Sequence, residues 1–468
     1  MSFPIKLQAN LYTGNESEST GEVGDGIKRW GITARLGKYP IMADAPRHVN
    51  LRHWQDPNVG WGLILPDNPE LSDEEKAEAI DAPDAIRRLL AHRPDSPVFR
   101  YQYAEPNHLH GYYKTDGYKP VFLTGVERGS GVAQLPHYLL IYASPEEIPW
   151  RFQYLLNQTC FVGRLDLDPE GLNHYVDALI HNWVGMDSRP YQPVVWSVDH
   201  NNNDITYLMR KSIAEPIASD LIMDSDIQDS LTALYGKDAT EERLIEELQK
   251  HQPALIITTS HGRTGPLNNM EKLASQLGFP VDQNHVAVTP NALLDSWEPC
   301  GAIWYAHACC SAGSDSETSY GELIAAFSSL QQSIESIQSL GSLTAPLPKR
   351  LLGAEKPLRA FIGHVEPTFD WTLEHPLTGQ FLTSSIRKGL YDHLYQSERE
   401  TIGMALKPIY SHIGSLMTQW EMARHRLTDS NAQVRQNAQE DSLLYQLMGL
   451  DRRSMVILGD PTACLPQS

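Results

Sequence analysis

Two short strings place a reactive side chain at the end of an apolar run. Ser260-His261-Gly262 follows Ala254-Leu255-Ile256-Ile257, and His307-Ala308-Cys309-Cys310-Ser311-Ala312-Gly313 follows Ala302-Ile303-Trp304-Tyr305-Ala306. Short apolar runs bounded by glycine and polar residues read as buried strands, so an imidazole and a thiol project where strands meet loops. A free thiol is scarcely ionised at neutral pH and becomes a nucleophile when an imidazolium or a helix N-terminus lowers its pKa. His261 offers the first, and a small-residue turn leading toward a helix near 321–327 offers the second. In that chemistry Cys309 attacks a peptide carbonyl, and His261 protonates the leaving amine and then helps water to hydrolyse the thioester. The backbone N–H groups of Gly262 and Cys309 hold the oxyanion, the glycine letting the main chain come close to the substrate. Cys310 is the competing nucleophile.

His261 precedes Cys309 by roughly the 50 residues that separate the same pair in caspases. Papain-like enzymes have the opposite order. The chain resembles the caspase-like superfamily of cysteine peptidases, which includes caspases, gingipains, separases and bacterial CHAT proteins, and is most similar to the bacterial gingipain and CHAT types. The shared mark is a hydrophobic block ending in His-Gly and another ending in Ala-Cys, which His261-Gly262 and Ala308-Cys309 supply. In such blocks Ala-Cys-x-Ser-Ala makes Cys309 the nucleophile, whereas a separase-like Cys-Ser-x-Gly reading favours Cys310. The resemblance implies a mostly parallel sheet flanked by helices, preceded by a smaller α/β subdomain, with no cofactor. It implies a substrate pocket at the loop after the first catalytic-domain strand, at the residue two before the cysteine, and at the loop after the strand that follows the cysteine helix. Here those places hold Asp204 beside Asp199 and His200, then His307, then Asp370 and Trp371 beside Glu366. Caspases put arginines there to bind aspartate; carboxylates suit Arg or Lys before the scissile bond. Bacterial relatives of this type act in stress or antiviral programmes by cutting a partner protein such as a gasdermin-like effector, under a regulatory partner. Two other functions remain open for the same residues: a catalytically silent caspase-like scaffold or partner-binding module, and a non-peptidase thiol acyltransferase or amidase.

The elements that must position these residues are legible in outline. The chain has 468 residues, 41% of them apolar and 9% aromatic, enough for two or three cored units. Residues 1–190 read as an N-terminal α/β subdomain with strands near 62–65, 120–123, 138–142 and 161–165. Helices fall at 84–92 and along the face Leu172, Tyr175, Val176, Leu179, Ile180 and Trp183. Residues 191–468 read as the catalytic domain. Strands are expected at 194–198, at the His and Cys blocks, at 358–362 and at 455–458. A helix over 238–250 is capped by Asp238 with Glu241 three residues on, 328–344 reads as a polar helix in preference to a mobile loop, and 408–449 is mainly helical.

Composition narrows the partners. A net charge of −20, from 38 basic and 58 acidic residues, argues against a direct nucleic-acid binder. Five cysteines without framework spacing fit a reducing compartment, and Cys160, Cys300 and Cys464 read as small buried hydrophobes. No leader pattern and no membrane-spanning run is visible, so a cytoplasmic location without membrane contact is expected. His108 and His110 could ligate a metal, but the sequence places no third ligand, so no metal is expected. The Gly459-Asp460-Pro461 turn lacks a phosphate cradle.

Overall fold

The structure, a computed structural model, describes residues 6–12, 14, 20–27, 49–324 and 328–467. Twelve strands form one sheet. In chain order they are β1 (Trp61–Pro66), β2 (Val98–Tyr101), β3 (His108–Tyr113), β4 (Gly117–Phe122), β5 (Tyr138–Tyr142), β6 (Phe161–Leu165), β7 (Val194–Ser197), β8 (Thr232–Tyr235), β9 (Leu255–Thr259), β10 (Ile303–His307), β11 (Ala360–His364) and β12 (Met455–Gly459). Across the sheet they lie in the order β8-β7-β9-β10-β11-β12-β6-β5-β1-β2-β3-β4. Strands β8, β7, β9, β10 and β11 run parallel to one another. Strand β12 turns antiparallel to β11 and starts a second parallel set with β6, β5, β1 and β2. A β3–β4 hairpin closes that end. The α/β class and the mostly parallel, helix-flanked sheet are therefore as the sequence implies.

Burial explains the strands. Every residue of β9, β10, β11 and β12 is buried, which demands helices on both faces and continuous apolar runs rather than alternation. The helix Pro169–Ile180 starts on Pro169, with Asp168 accepting from the N–H of Gly171, and buries Leu172, Tyr175, Val176 and Leu179. The helix expected over 238–250 runs Glu241–His251, and its cap is Thr240, which accepts from the N–H of Arg243, not Asp238. The polar helix lies at Ser328–Gln338, and the C-terminal region holds two long helices, Lys407–Arg426 and Ala432–Ser454. Strand β3 carries His108 and His110.

The boundary expected at residue 190 falls inside this one sheet, because β12 of the second segment lies beside β6 of the first. Asp460, just after β12, accepts from the indole N–H of Trp61 at 3.2 Å and pairs with Arg93 at 3.0 Å, all buried. Its N–H donates to the Tyr175 hydroxyl, which donates to the carbonyl of Arg359. The two segments thus share polar contacts as well as apolar core.

Candidate active site

Four neighbouring parallel strands deliver the site from their carboxyl ends, the edge where open α/β sheets place ligands. Asp204 follows β7, His261 follows β9, Cys309 follows β10, and Thr368 to Trp371 follow β11. Thr259 pairs with His307 in the ladder, so His261 and Cys309, each two residues further on, leave the sheet at the same level. The loops close on one another at Gly262: a Cβ there would stand 1.9 Å from the carbonyl oxygen of Cys309 and 3.0 Å from its nitrogen. The loops that carry the sequence-derived pair therefore meet, with Gly262 against the Cys309 main chain.

His261 is 1% exposed, and its Nε2 lies 3.0 Å and 3.1 Å from the two oxygens of Asp204. Its Nδ1 is buried and has no hydrogen-bond partner, the Cys309 sulfur included. Asp204 also caps the helix beginning at Ile205, accepting from the N–H and the hydroxyl of Thr206 at 2.9 Å and 2.6 Å. Burial alone would push the Asp204 carboxyl up, but the His261 contact and the Thr206 donors outweigh it and hold the group well below the usual carboxylate range. Asp204 thus orients His261 and a helix, a correction to its expected place in a substrate pocket. The Asn-Asp-Ile-Thr string signals the cap; nothing in it signals a histidine 57 residues away.

Cys309 is 0% exposed, and its Sγ accepts from the N–H of Thr368 at 3.3 Å. Burial pushes its thiol up to about 12, against a smaller lowering by Thr368, the reverse of the expected activation. The helix expected near 321–327 is present at Gly321–Ile324, and 325–327 lie outside the described residues. Cys310 is equally buried, with φ of +56°. His307 is not a pocket residue: it is fully buried, its Nδ1 lies 2.9 Å from the Tyr305 hydroxyl, and burial drives its pKa down to about 3. As residues two apart on β10, Tyr305 and His307 share one face of a strand buried on both faces. Trp371 is likewise a core residue. Asp370 accepts at Oδ1 from the N–H groups of Gln8 and Trp371, and burial pushes it up to about 7.

Of the rings gathered at His261, His200 is placed near the site by the sequence; Tyr12 and His285 are not. Tyr12 and His200 stack on His261 at 5.8 Å and 5.4 Å, and His285 stacks on Tyr12 and His200. His200, Asp204 and His261 bring three possible metal-ligand atoms within 4.8 Å of one another, as do Glu105, His108 and His110 near the other end of the sheet. No helix among the described residues is long and apolar enough to cross a membrane. Comparison with family models, with curated proteins and with solved structures finds no match to this chain.

Proposed function

We propose that this protein is a cysteine endopeptidase of the caspase-like superfamily, with Cys309 as nucleophile, His261 as acid and base, and Asp204 as the group that orients His261. The observation that carries the reading is the convergence of Asp204, His261 and Cys309 from the carboxyl ends of adjacent parallel strands, with Gly262 packed on the Cys309 main chain. The Sγ proton passes to His261 as sulfur bonds to the scissile carbonyl carbon. The negative charge on the carbonyl oxygen is taken by N–H groups at Gly262 and Cys309. The imidazolium returns the proton to the amide nitrogen as the C–N bond breaks, and a water deprotonated by His261 cleaves the thioester and restores the thiol. The substrate is a protein, cut after Arg or Lys with Asp370 as the carboxylate still available to a basic side chain. The setting is a cytoplasmic stress or antiviral pathway with an effector such as a gasdermin as target. The test is turnover of a peptide library by the wild type, Cys309→Ala and His261→Ala: both variants lose several orders of magnitude while folding normally. Cleavage by Cys309→Ala at the wild-type rate would sink the assignment.

One observation favours the alternative, a catalytically silent scaffold. Cys309 is fully buried, and its thiol is held protonated by that burial. A thiol-reactive peptide probe separates the two readings, since a silent scaffold leaves Cys309 unlabelled under every condition that keeps the chain folded.

A further inference from the structure

One segment of the chain lies against His261 and against the loop that binds Cys309. Lys6-Leu7-Gln8 pairs antiparallel with 20–22, and Gln8-Ala9-Asn10-Leu11-Tyr12 runs extended between the loop after His261 and the loop after β11. On one wall, Leu11–Tyr12 pairs in parallel with Gly262–Arg263, and the carbonyl of Tyr12 accepts from the N–H of Thr264 at 2.9 Å. On the other, Ala9 bridges Phe369 antiparallel, the N–H of Asn10 donates to the carbonyl of Thr368 at 2.8 Å, and that of Gln8 donates to Asp370. Thr368 therefore binds the Cys309 sulfur through its N–H and the segment through its carbonyl. The Asn10 side chain, 0% exposed, donates to the carbonyl of Ser260 at 3.0 Å, and the Tyr12 ring stacks on His261. Ala9, Asn10, Leu11 and Tyr12 are all buried, and main-chain pairing to both walls is how a groove binds an extended peptide.

We propose that segment 6–12 is an internal occupant of the groove that takes an extended peptide substrate, and that the reactive pair becomes accessible only when the segment leaves. This rests on reading Cys309 and His261 as the reacting groups. The occupant presents a neutral amide, Asn10, at its deepest polar position, so it fills the groove without placing a basic side chain in it.

The experiment uses Asn10→Pro, which removes the N–H given to Thr368, and a chain lacking residues 1–12. Iodoacetamide labelling at each cysteine is followed by peptide mapping, alongside peptide turnover. Cys309 should label at least tenfold faster in both versions than in the intact chain, and synthetic peptide 6–12 should reverse the gain in the shortened chain. Buried Cys160 and Cys300 stay unlabelled if the fold holds; if Asn10→Pro exposes them, the shortened chain with added peptide decides. Faster labelling without turnover would keep the groove and cover and discard the peptidase reading. Equal Cys309 labelling with and without the segment, or no protection by the peptide, would overturn the proposal.

The geometry points to a second, independent site for a transition-metal ion on β3. His108 and His110, two apart on one strand, share a face, and Glu105 Oε2 lies 3.1 Å from the Nε2 of each. Ligand atoms around a four-coordinate zinc stand roughly 3.3 Å apart, so small shifts admit the ion with water in the fourth place. Phe122 backs His108 at 5.5 Å and Tyr118 backs His110 at 5.4 Å, fixing both rings. Cobalt(II) titration of the full chain, read in the visible spectrum and displaced by zinc, should give tetrahedral absorption that weakens at least tenfold in His110→Ala and in Glu105→Gln but survives in His200→Ala. No tetrahedral absorption, or absorption undiminished in the double variant His108→Ala/His110→Ala, would overturn it.

Discussion

Asp204 binds His261 Nε2 and caps a helix with the same carboxylate, so one substitution can part its two duties. Asp204→Asn keeps a capping oxygen but loses the charge that sets the histidine, and turnover should fall by about 10⁴-fold while melting temperature falls only a few degrees. The stability that its carboxylate contributes is present above its unfolded pKa of about 3.9 and is lost as pH falls through the depressed folded value. The stability gap between wild type and variant should therefore hold near neutral pH and close on strong acidification; a gap unchanged at pH 2 would contradict the pairing. Asp370 has the opposite sign. Its folded pKa, about 7, lies above the unfolded one, so the folded state loses stability as pH rises from about 4 through 7. Asp370→Asn should melt higher than wild type at pH 8 and alike below pH 4, and an equal difference at both would show that burial does not strain this carboxyl. His261 and Cys309 were legible as residues because each ends an apolar run. The task of Asp204 was not, because it depends on where β7 and β9 fall side by side, and the core position of His307 follows from the burial of β10 on both faces rather than from distance to the cysteine.

Loops leaving β9 and β10 meet where Gly262 lies on the Cys309 main chain, and no side chain can rotate away to make room there. Gly262→Ala should cost about 1–3 kcal/mol of folding stability in denaturant titration and depress turnover further by separating the loops; stability and turnover like wild type would mean that the loops do not meet as described. Strands β9, β10, β11 and β12 were legible because burial on both faces demands unbroken apolar runs. β2 and β3 were not. Val98-Phe99-Arg100-Tyr101 carries a buried arginine that the sequence cannot show to be matched by Asp81, and β3 mixes histidines, glycine and tyrosines. Residues 6–12 carry no period that distinguishes a strand from a tail, since pairing with 20–22 and with the groove walls, not their own propensity, holds them extended.

Across the whole molecule, two parallel sets running in opposite directions meet where β12 inserts between β11 and β6. That insertion has no sequence signature, and it ties together the segments read as 1–190 and 191–468. A fragment of residues 191–468 would leave an open β12 edge and an unpaired buried Asp460, so it should aggregate or lack near-ultraviolet circular dichroism, whereas cooperative folding of the fragment would show that its contacts with 1–190 are dispensable. In the intact chain Arg93→Ala should cost about 3–5 kcal/mol by stranding Asp460. The central claim, a peptidase acting through Cys309 and His261, is tested most directly by peptide-library cleavage with the chain freed of residues 1–12 and its Cys309→Ala, His261→Ala and Cys310→Ala forms. The account predicts cleavage that iodoacetamide abolishes and EDTA spares, lost by several orders of magnitude in the first two variants and retained in Cys310→Ala. Full cleavage by Cys309→Ala, or no cleavage by any form while all remain folded, would contradict it.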